Sequence, residues 1–221
     1  MIDPKCTHCP LKPCRDGIDS DTRLPKFCPI KNYKALITEV TERYKSPEIH
    51  DFFLNAAYLE KECYLEKAAR EENRIFPLRP RIREITEFAK KIGAKKIGVA
   101  FCSGLVNEAE RAVAIFESHG LEVCSVICSC GAVDKTEVNI PPEGKIRNPD
   151  KFEASCNPLL QAELLNRAKT AFNVIIGLCV GHDMLFTKYS EAPVTTLIVK
   201  DRFTGHNPVI TLYSRYHKDI V

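Results

Sequence analysis

Three short apolar runs in the second half of the chain each end in a cysteine, and a fourth ends in charged residues. They are residues 97–101 before Cys102, 121–127 before Cys128, 173–178 before Cys179, and 194–199. Runs of this length are too short for buried helices and are typical of strands covered on both faces. Because helical patterns separate them, the sequence predicts an α/β fold: a parallel Rossmann-like sheet with helices on both faces.

Right-handed crossovers place the carboxyl ends of parallel strands on one edge of a sheet, which is where such sheets bind ligands. We therefore expect the thiols of Cys102, Cys128 and Cys179 to lie close together. Cys156 stands directly before an Asn-Pro pair typical of a helix start, and joins this edge from there. The positive end of a helix lowers a thiol pKa and stabilises anionic groups. These four cysteines are the predicted cofactor-binding residues.

The alternative is a purely structural role: each cysteine is a small apolar residue that fits a tight strand end, which is common for a single buried thiol. Only the set of four indicates a shared metal or catalytic site. Cys130 follows Cys128 closely in the sequence and is predicted to be either a further ligand or a persulfide carrier.

Polar side chains follow the third and fourth strands. His182 and Asp183 come just after the third strand, and His206 lies on the loop after the fourth. Imidazole and carboxylate groups transfer protons, so these three are the candidate catalytic residues. The alternatives are that Asp183 caps a helix and that His206 is bonded to backbone. Residues 200–202 are predicted to form an ion-pair cluster at the mouth of the site, or to supply Arg202 for an anionic group of a substrate.

The first thirty residues contain four cysteines among five prolines and have little apolar content. Such a segment lacks a hydrophobic core and needs bonds to a metal to order it, the alternative being a disordered leader with reactive thiols. Four thiolates suit a zinc ion or an iron–sulfur cube, and the wide spacing and adjacent prolines favour a [4Fe-4S] cluster, with zinc as the alternative. The predicted metal ligands are Cys6, Cys9, Cys14 and Cys28, with His8 as an alternative zinc ligand.

The middle of the chain has helical periodicity, from about residue 33 to 74 and again after Pro77 and Pro80. We place the domain boundary near Phe76. Residues 1–76 are predicted to be a cysteine-rich metal-binding segment with packing helices, and residues 77–221 a Rossmann-like α/β domain with a cysteine-lined site. The loop that ends near Ser155 is long, and loops of that length usually carry function or move, which suggests a lid.

Composition limits the partners. The 221 residues are 44% hydrophobic and 28% charged, enough for a full core, and the formal net charge is +3. Lys and Arg are scattered, so we expect neither nucleic acid nor a membrane as a partner. Neither a leader nor a spanning segment is recognisable, which predicts a cytoplasmic protein. In that reducing compartment the eleven cysteines are expected as metal ligands, catalytic groups or core residues rather than disulfides.

A set of short motifs is shared with a known family. They are Gly177-Leu178-Cys179-Val180-Gly181-His182-Asp183, Cys156-Asn157-Pro158 with Gln161-Ala162, Ala192-Pro193-Val194-Thr195, and Lys200-Asp201-Arg202 with Gly205-His206-Asn207-Pro208. Over nearly its whole length the chain resembles an uncharacterised cysteine-rich family of anaerobes, domain of unknown function 1847. The resemblance implies metal binding without implying a reaction. The family pattern has one cysteine followed by Lys where this chain has Cys128-Ser129-Cys130-Gly131.

The function expected from these features is that of a cytoplasmic iron–sulfur protein with two metal sites. A fold-level analogy links the sheet-edge site to desulfidases, in which three cysteines hold a [4Fe-4S] cluster and one iron stays open to a substrate sulfur. The expected activity is desulfidase, sulfur transfer or reduction, and the expected partner is a small molecule or a redox partner. The alternatives are a non-enzymatic zinc or metal carrier or assembly protein, and a metal-free thiol enzyme with Cys156 or Cys179 as nucleophile and His182 as base.

Overall fold

The computed structural model describes residues 2–10, 13–17, 24–64 and 77–214. Contacts divide the chain into two units, Met1–Glu60 and Lys61–Val221. The domain boundary predicted near Phe76 falls outside the described residues.

The amino-terminal unit is built of helical segments. They are a 3₁₀ turn at Cys6–His8 and the helices α1 (Pro13–Asp16), α2 (Pro29–Asn32), α3 (Lys34–Arg43) and α4 (Pro47–Tyr64), whose last turn belongs to the second unit. We expected α3 to bury an apolar face. Within the described part of the chain no residue of α3 is buried, and Leu36 and Ile37 are 49% and 42% exposed. The spacing of apolar residues therefore predicted that this helix forms, but it did not predict how much of the helix is buried.

The second unit has the predicted α/β architecture, a four-stranded parallel sheet with helices between the strands. Its elements are α5 (Arg81–Lys91), β1 (Lys96–Phe101), α6 (Val106–Ser118), β2 (Glu122–Ile127), α7 (Pro158–Arg167), β3 (Asn173–Ile176), α8 (His182–Tyr189), β4 (Val194–Ile198) and α9 (Val209–Tyr213). All four strands begin within one residue of the predicted positions. The central strands β1 and β3 are buried on both faces as their apolar runs predicted, whereas the edge strands β2 and β4 are only partly buried.

The order of the strands in the sheet is β2-β1-β3-β4, and every neighbouring pair is parallel. The chain moves one way from β1 to β2 and then crosses back to β3 on the other side of β1. Right-handed crossovers therefore place α6 and α7 on opposite faces of the sheet. The reversal leaves a crevice beyond the carboxyl ends of β1 and β3, the topological switch point at which such sheets bind ligands.

The core lies around the two central strands, and Val99 and Ile176 are fully buried there. Close packing depends on Gly98 in β1, since an added Cβ would lie 1.9 Å from Asn173 Oδ1. Asn173 itself is fully buried and bonded: its Oδ1 accepts from Thr170 Oγ1 at 2.7 Å, and its Nδ2 donates to Ser190 Oγ at 2.8 Å. The amide thus joins the α7–β3 connection to the α8–β4 connection at the amino-terminal edge of the sheet.

Among the described residues, no helix combines the length and the apolar character that a membrane-spanning segment requires.

The long connection between β2 and α7 is fixed by two carboxylates. Asp134 accepts hydrogen bonds from the backbone N–H groups of Thr136 at 2.9 Å and Glu153 at 2.7 Å, and it pairs with Lys145. The N–H of Thr136 is the main reason that the pKa of Asp134 lies well below its usual range. Glu153 accepts from the N–H of Ile146 at 3.0 Å, and this bond contributes most to lowering its pKa to about 2. The hydrogen bonds to these two carboxylates therefore hold the connection together from within.

We expect Asp134→Asn to lower the urea midpoint of the protein at pH 7. The pKa of Asp134 is depressed in the folded state, so its ionised form stabilises the fold fully above the ordinary carboxyl pKa of about 4. This stabilisation is lost as the pH falls below about 4 toward the folded pKa. Urea unfolding of both proteins between pH 7 and pH 3 is the measurement, and the difference between their midpoints should begin to narrow below about pH 4.

Asp150→Asn is the matched control, because it removes the same charge from an exposed position of the same connection. It should leave the midpoint nearly unchanged at every pH. A difference between wild type and Asp134→Asn that stays constant down to pH 3 would contradict the assignment.

Candidate functional site

The ends of β1 and β2 bring two buried thiols side by side. Cys102 and Cys128 follow the paired residues Phe101 and Ile127, and the N–H of Cys128 donates to the carbonyl oxygen of Phe101 at 2.8 Å. The two cysteines are only 5% and 4% exposed, and their side chains are hydrogen-bonded to each other. The register of the parallel pair therefore determines this contact.

Cys156 reaches the same pair from the start of α7. Asn157 caps this helix through a side-chain bond to Leu160 N–H, and its own N–H donates to the carbonyl oxygen of Cys128 at 2.7 Å. The Cys156 thiol is hydrogen-bonded to Cys128 and lies near the thiols of Cys179 and Cys102. The structure thus gathers at one edge the four cysteines that the sequence predicted for this site.

Backbone N–H groups point at two of the sulfurs. A 3₁₀ turn, Ser103–Leu105, precedes α6, and its first N–H, from Ser103, donates to Cys128 Sγ at 3.3 Å. The next N–H, from Gly104, donates to Cys102 Sγ at 3.4 Å. Donors of this kind favour thiolate over thiol and are one of the ways in which proteins tune iron–sulfur centres.

Two cations from the end of β4 complete the surroundings of the thiols. The Nζ of Lys200, which is half-buried, donates to Cys102 Sγ, and Nη2 of the exposed Arg202 donates to Cys179 Sγ at 3.1 Å. We had predicted an ion-pair cluster within residues 200–202. Instead Asp201 accepts the N–H groups of its own turn, so the neighbouring cations face sulfur.

The thiols differ in acidity. A hydrogen bond with Cys128 lowers the pKa of Cys156 to about 7, despite burial and the nearby Cys179 and Cys102 sulfurs. A hydrogen bond with Cys128, together with burial, raises the pKa of Cys102 to about 12, and Lys200 opposes this only in part. Cys156 is therefore about half ionised at pH 7, while Cys102 holds its proton unless a metal replaces it.

The candidate acid–base residues lie at the start of α8 and on the loop after β4. The N–H groups of His182 and Asp183 donate to the carbonyl oxygen of Cys179, and the carboxylate of Asp183 accepts the N–H of Met184 at 2.8 Å. The N-cap of α8 is Gly181, so Asp183 lies in the first turn and is not the cap that was its alternative. Nδ1 of His182 is buried and has no hydrogen-bond partner among the described residues. An orphaned imidazole nitrogen beside a ligand crevice is available to a substrate proton.

His206 serves the loop that carries Arg202. Its Nδ1 accepts the N–H of Asp201 at 3.1 Å, and its own N–H donates to the carbonyl oxygen of Asp201 at 2.8 Å. With a φ of 69° it also adopts the left-handed conformation that closes the turn. The alternative for His206 was a structural histidine bonded to backbone, and its Nδ1 makes such a bond.

Gln161 is a buried polar residue of this edge to which sequence reasoning gave no function. Its Nε2 donates to the carbonyl oxygen of Val126 at 2.8 Å and to that of Phe101 at 3.4 Å, so it joins the ends of β1 and β2 beneath the thiols. Its side chain is fully buried and its Oε1 lacks a partner among the described residues. In the sequence, the signal for a buried, bonded amide is a single glutamine on the apolar face of α7, next to Ala162.

Cys130 makes a contact with backbone. Its Sγ donates to the carbonyl oxygen of Asn157 at 3.9 Å, and burial, with a smaller contribution from the nearby Cys128, raises its pKa. Its roles as a further ligand or a persulfide carrier stay predictions.

The four amino-terminal cysteines line one cavity of about 250 Å³. Cys28 precedes α2 and is buried, whereas Cys6 and Cys14 are exposed. The remaining lining residues are Cys9, Pro13, Arg15, Phe27 and Pro29. The space is larger than a single ion requires.

In the described ranges, no group of three or more His, Cys, Asp or Glu side chains has the arrangement needed to hold a metal ion. Zn–S bonds of about 2.3 Å bring the four sulfurs of a tetrahedral zinc site to about 3.8 Å from one another. The ligands of a [4Fe-4S] cube sit outside its four corners and are spaced more widely.

The chain is similar to a relative and to a family that are both described as uncharacterised. An uncharacterised protein of Methanocaldococcus jannaschii is 39% identical over 213 residues, which cover 96% of this chain and 95% of that protein. A family described as "Protein of unknown function (DUF1847)" matches residues 28–197. The matched range contains Cys28 and the four thiols of the sheet edge, so the resemblance found in the sequence is confirmed: the chain belongs to this family.

Proposed function

We propose that this chain is a cytoplasmic iron–sulfur protein with two [4Fe-4S] sites, and that its sheet-edge site acts on a small sulfur-containing or reducible substrate. The observation that carries the proposal is the convergence of Cys102, Cys128, Cys156 and Cys179 at the switch point of the sheet. Four thiols from four separate segments meet where parallel sheets bind ligands. They are the usual ligand set of such a cluster.

The surroundings of these thiols support an anionic centre. Two backbone N–H groups, Lys200 and Arg202 all donate to sulfur. Four thiolates, two of them buried, would be costly without compensation, since desolvation strongly disfavours unpaired charge. Donors to sulfur reduce that cost and are a known means of tuning cluster potential. We therefore assign Lys200 and Arg202 to charge balance at the site.

The amino-terminal cysteines would hold a second, closed cluster that is structural or carries electrons. The cavity of about 250 Å³ that they line supports a cluster over a single zinc ion, because a liquid water occupies only about 30 Å³ and an ion needs no more. Bonds from one inorganic centre to Cys6, Cys9, Cys14 and Cys28 would also order a segment that has little apolar content.

The chemistry proposed for the sheet edge follows from an iron that lacks a permanent fourth thiolate, because such an iron is a Lewis acid for a substrate sulfur or oxygen. His182 is the first candidate for moving the proton, since its Nδ1 is buried without a partner among the described residues. Asp183 and His206 also remain candidates, although both have structural bonds. Desulfidase, sulfur-transfer and reductase activities all fit this arrangement.

Anaerobic purification followed by elemental analysis tests the proposal. Two clusters should give about eight irons and about eight acid-labile sulfides per chain, with the broad visible absorption of iron–sulfur proteins. Dithionite reduction should produce an electron paramagnetic resonance signal. Protein that holds neither iron nor sulfide, even after anaerobic reconstitution, would refute it.

The same measurement separates the alternatives. Zinc without labile sulfide would identify a metal carrier or assembly protein. A metal-free thiol enzyme is favoured by one observation, the pKa of about 7 at Cys156. In that case Cys156→Ala would remove one rapidly alkylated thiol per chain from the reaction with iodoacetamide at pH 7 while leaving the metal content unchanged.

A further inference from the structure

Three of the sheet-edge thiols form a hydrogen-bonded series with Cys128 in the middle. Cys128 is hydrogen-bonded to both Cys102 and Cys156. Of the three, Cys156 is partly exposed, whereas Cys102 and Cys128 are buried. A reagent from solvent therefore meets the Cys156 sulfur first, and the thiol in contact with that sulfur is Cys128.

The backbone holds Cys156 against Cys128. The N–H of Ser155 donates to the carbonyl oxygen of Val133 at 2.8 Å, and the N–H of Asn157 donates to that of Cys128 at 2.7 Å. These two bonds lie on either side of Cys156 and keep its Cα next to that of Cys128. A disulfide requires such an approach, since its two Cα atoms lie about 5.5–6 Å apart. The backbone bond and the contact between the thiols therefore favour a bond between these two cysteines.

Cys102 is less well placed for a disulfide with Cys128. The two cysteines extend the register of β1 and β2, and neighbouring strands lie about 4.7–4.9 Å apart. The Cβ atoms of a disulfide are closer, about 3.8 Å apart. The Cys102 sulfur is also engaged otherwise, because it accepts from Lys200 Nζ and from the N–H of Gly104.

Cys179 is partly exposed like Cys156, but its sulfur has a different partner. Nη2 of Arg202 donates to Cys179 Sγ at 3.1 Å. The acidity of Cys156 shows the same difference, since Cys128 affects it through a hydrogen bond and Cys179 through its charge. Exposure alone therefore does not distinguish Cys156 from Cys179, whereas contact with a second thiol does.

We propose that Cys156 and Cys128 are a redox pair that reduces a low-molecular-weight disulfide to two thiols. The Cys156 thiolate attacks one sulfur of the small disulfide, so that a mixed disulfide forms and the first small thiolate leaves. The Cys128 thiolate, to which the N–H of Ser103 donates at 3.3 Å, then attacks the Cys156 sulfur. This step forms the Cys128–Cys156 bond and releases the second small thiolate. The two cysteine protons go to the two leaving thiolates, so the protein thiols are oxidised as the small disulfide is reduced.

This activity goes beyond the proposed function and belongs to the metal-free protein. It uses only the two thiols and the small disulfide, so it does not depend on a bound cluster.

The probe for the reaction is hydroxyethyl disulfide, added in excess and without oxygen to reduced, chelator-treated, full-length protein. After acid quenching, trypsin separates Cys156, in residues 152–167, from Cys128, in residues 112–135, and mass spectrometry identifies the peptides that are joined. Residues 112–135 contain two further cysteines, so fragment ions assign the bond within that peptide. We expect the Cys128–Cys156 disulfide in most wild-type chains and little mercaptoethanol retained on Cys156.

Cys128→Ser tests the second step. Cys156 should then keep the probe as a mixed disulfide, at least about tenfold more of it than in wild type, because the thiol that releases it is gone. Cys130→Ser is the matched control: it removes a thiol two residues away and should form the same disulfide as wild type.

The wild-type peptide map decides the pairing even where a variant does not fold. A disulfide from Cys156 to Cys179, a disulfide from Cys128 to Cys102, or an unmodified Cys156 would overturn the proposal, as would equal retention of the probe in wild type and folded Cys128→Ser. Iron and sulfide content, measured separately, decides the proposed function whatever the outcome of this reaction.

Discussion

Replacing Cys128 with alanine is expected to remove the sheet-edge cluster and leave the amino-terminal one. Cys128 is the thiol that contacts both Cys102 and Cys156, and the N–H of Ser103 donates to its sulfur. Its loss removes one ligand and also breaks the contacts that hold the other two together. Iron and sulfide should fall from about eight to about four of each per chain, since each cluster accounts for half.

Cys124→Ala is the matched control for this variant. Cys124 lies on the same strand, four residues earlier, and is partly buried in the apolar region rather than at the edge. In the metal-free proteins both substitutions delete one sulfur and should lower stability by roughly 1 kcal/mol, which urea unfolding will measure. Unchanged iron in Cys128→Ala, or equal loss in Cys124→Ala, would show that Cys128 is not a ligand.

Much of this fold could be predicted from the sequence because its central strands are covered on both faces. Such strands appear as continuous apolar runs, and each run here stops at a cysteine, so the strand ends and the thiols were predicted together. The order of the strands was not predictable in the same way. Whether β3 pairs beside β2 or beside β1 depends on the direction of a crossover, and right-handed connections permit both.

The positions of the thiols could be predicted from the sequence, but the side chains that contact them could not. Lys200 and Cys102 are 98 positions apart, and no local pattern indicates that their side chains meet. Sequence neighbours suggested that Lys200, Asp201 and Arg202 pair with one another. The turn instead uses the Asp201 carboxylate for its own backbone N–H groups, a common role for aspartate in loops, and this leaves both cations facing sulfur.

The structure of the connection before α7 was also not predictable from the sequence. Its length and its Pro, Gly and Asn content suggested a lid. Two carboxylates, Asp134 and Glu153, accept enough backbone N–H groups to fix it. Such bonds join residues up to 19 positions apart, and the sequence shows only that charged residues are present.

Gly177→Ala is expected to cause the largest loss of stability among single changes near the site. Gly177 follows β3 and leads to Cys179, its φ is +69°, and an added Cβ would lie 2.8 Å from Leu105 Cδ1. Leu105 is 1% exposed and follows the turn that donates to the thiols, so it has little room to move. Backbone strain of about 1 kcal/mol and overpacking of about 2 kcal/mol together predict a loss of about 3 kcal/mol.

Gly205→Ala separates these two contributions. Its φ of +63° is close to that of Gly177, but a Cβ there meets nothing within 4 Å, so the expected loss is only about 1 kcal/mol. Urea unfolding of the metal-free proteins compares the two variants without the added stability of bound metal. The difference between them measures how tightly the turn before Cys179 packs on the turn after Cys102. Equal losses would mean that Leu105 yields, and that the two loops carrying the thiols are not held together through this contact.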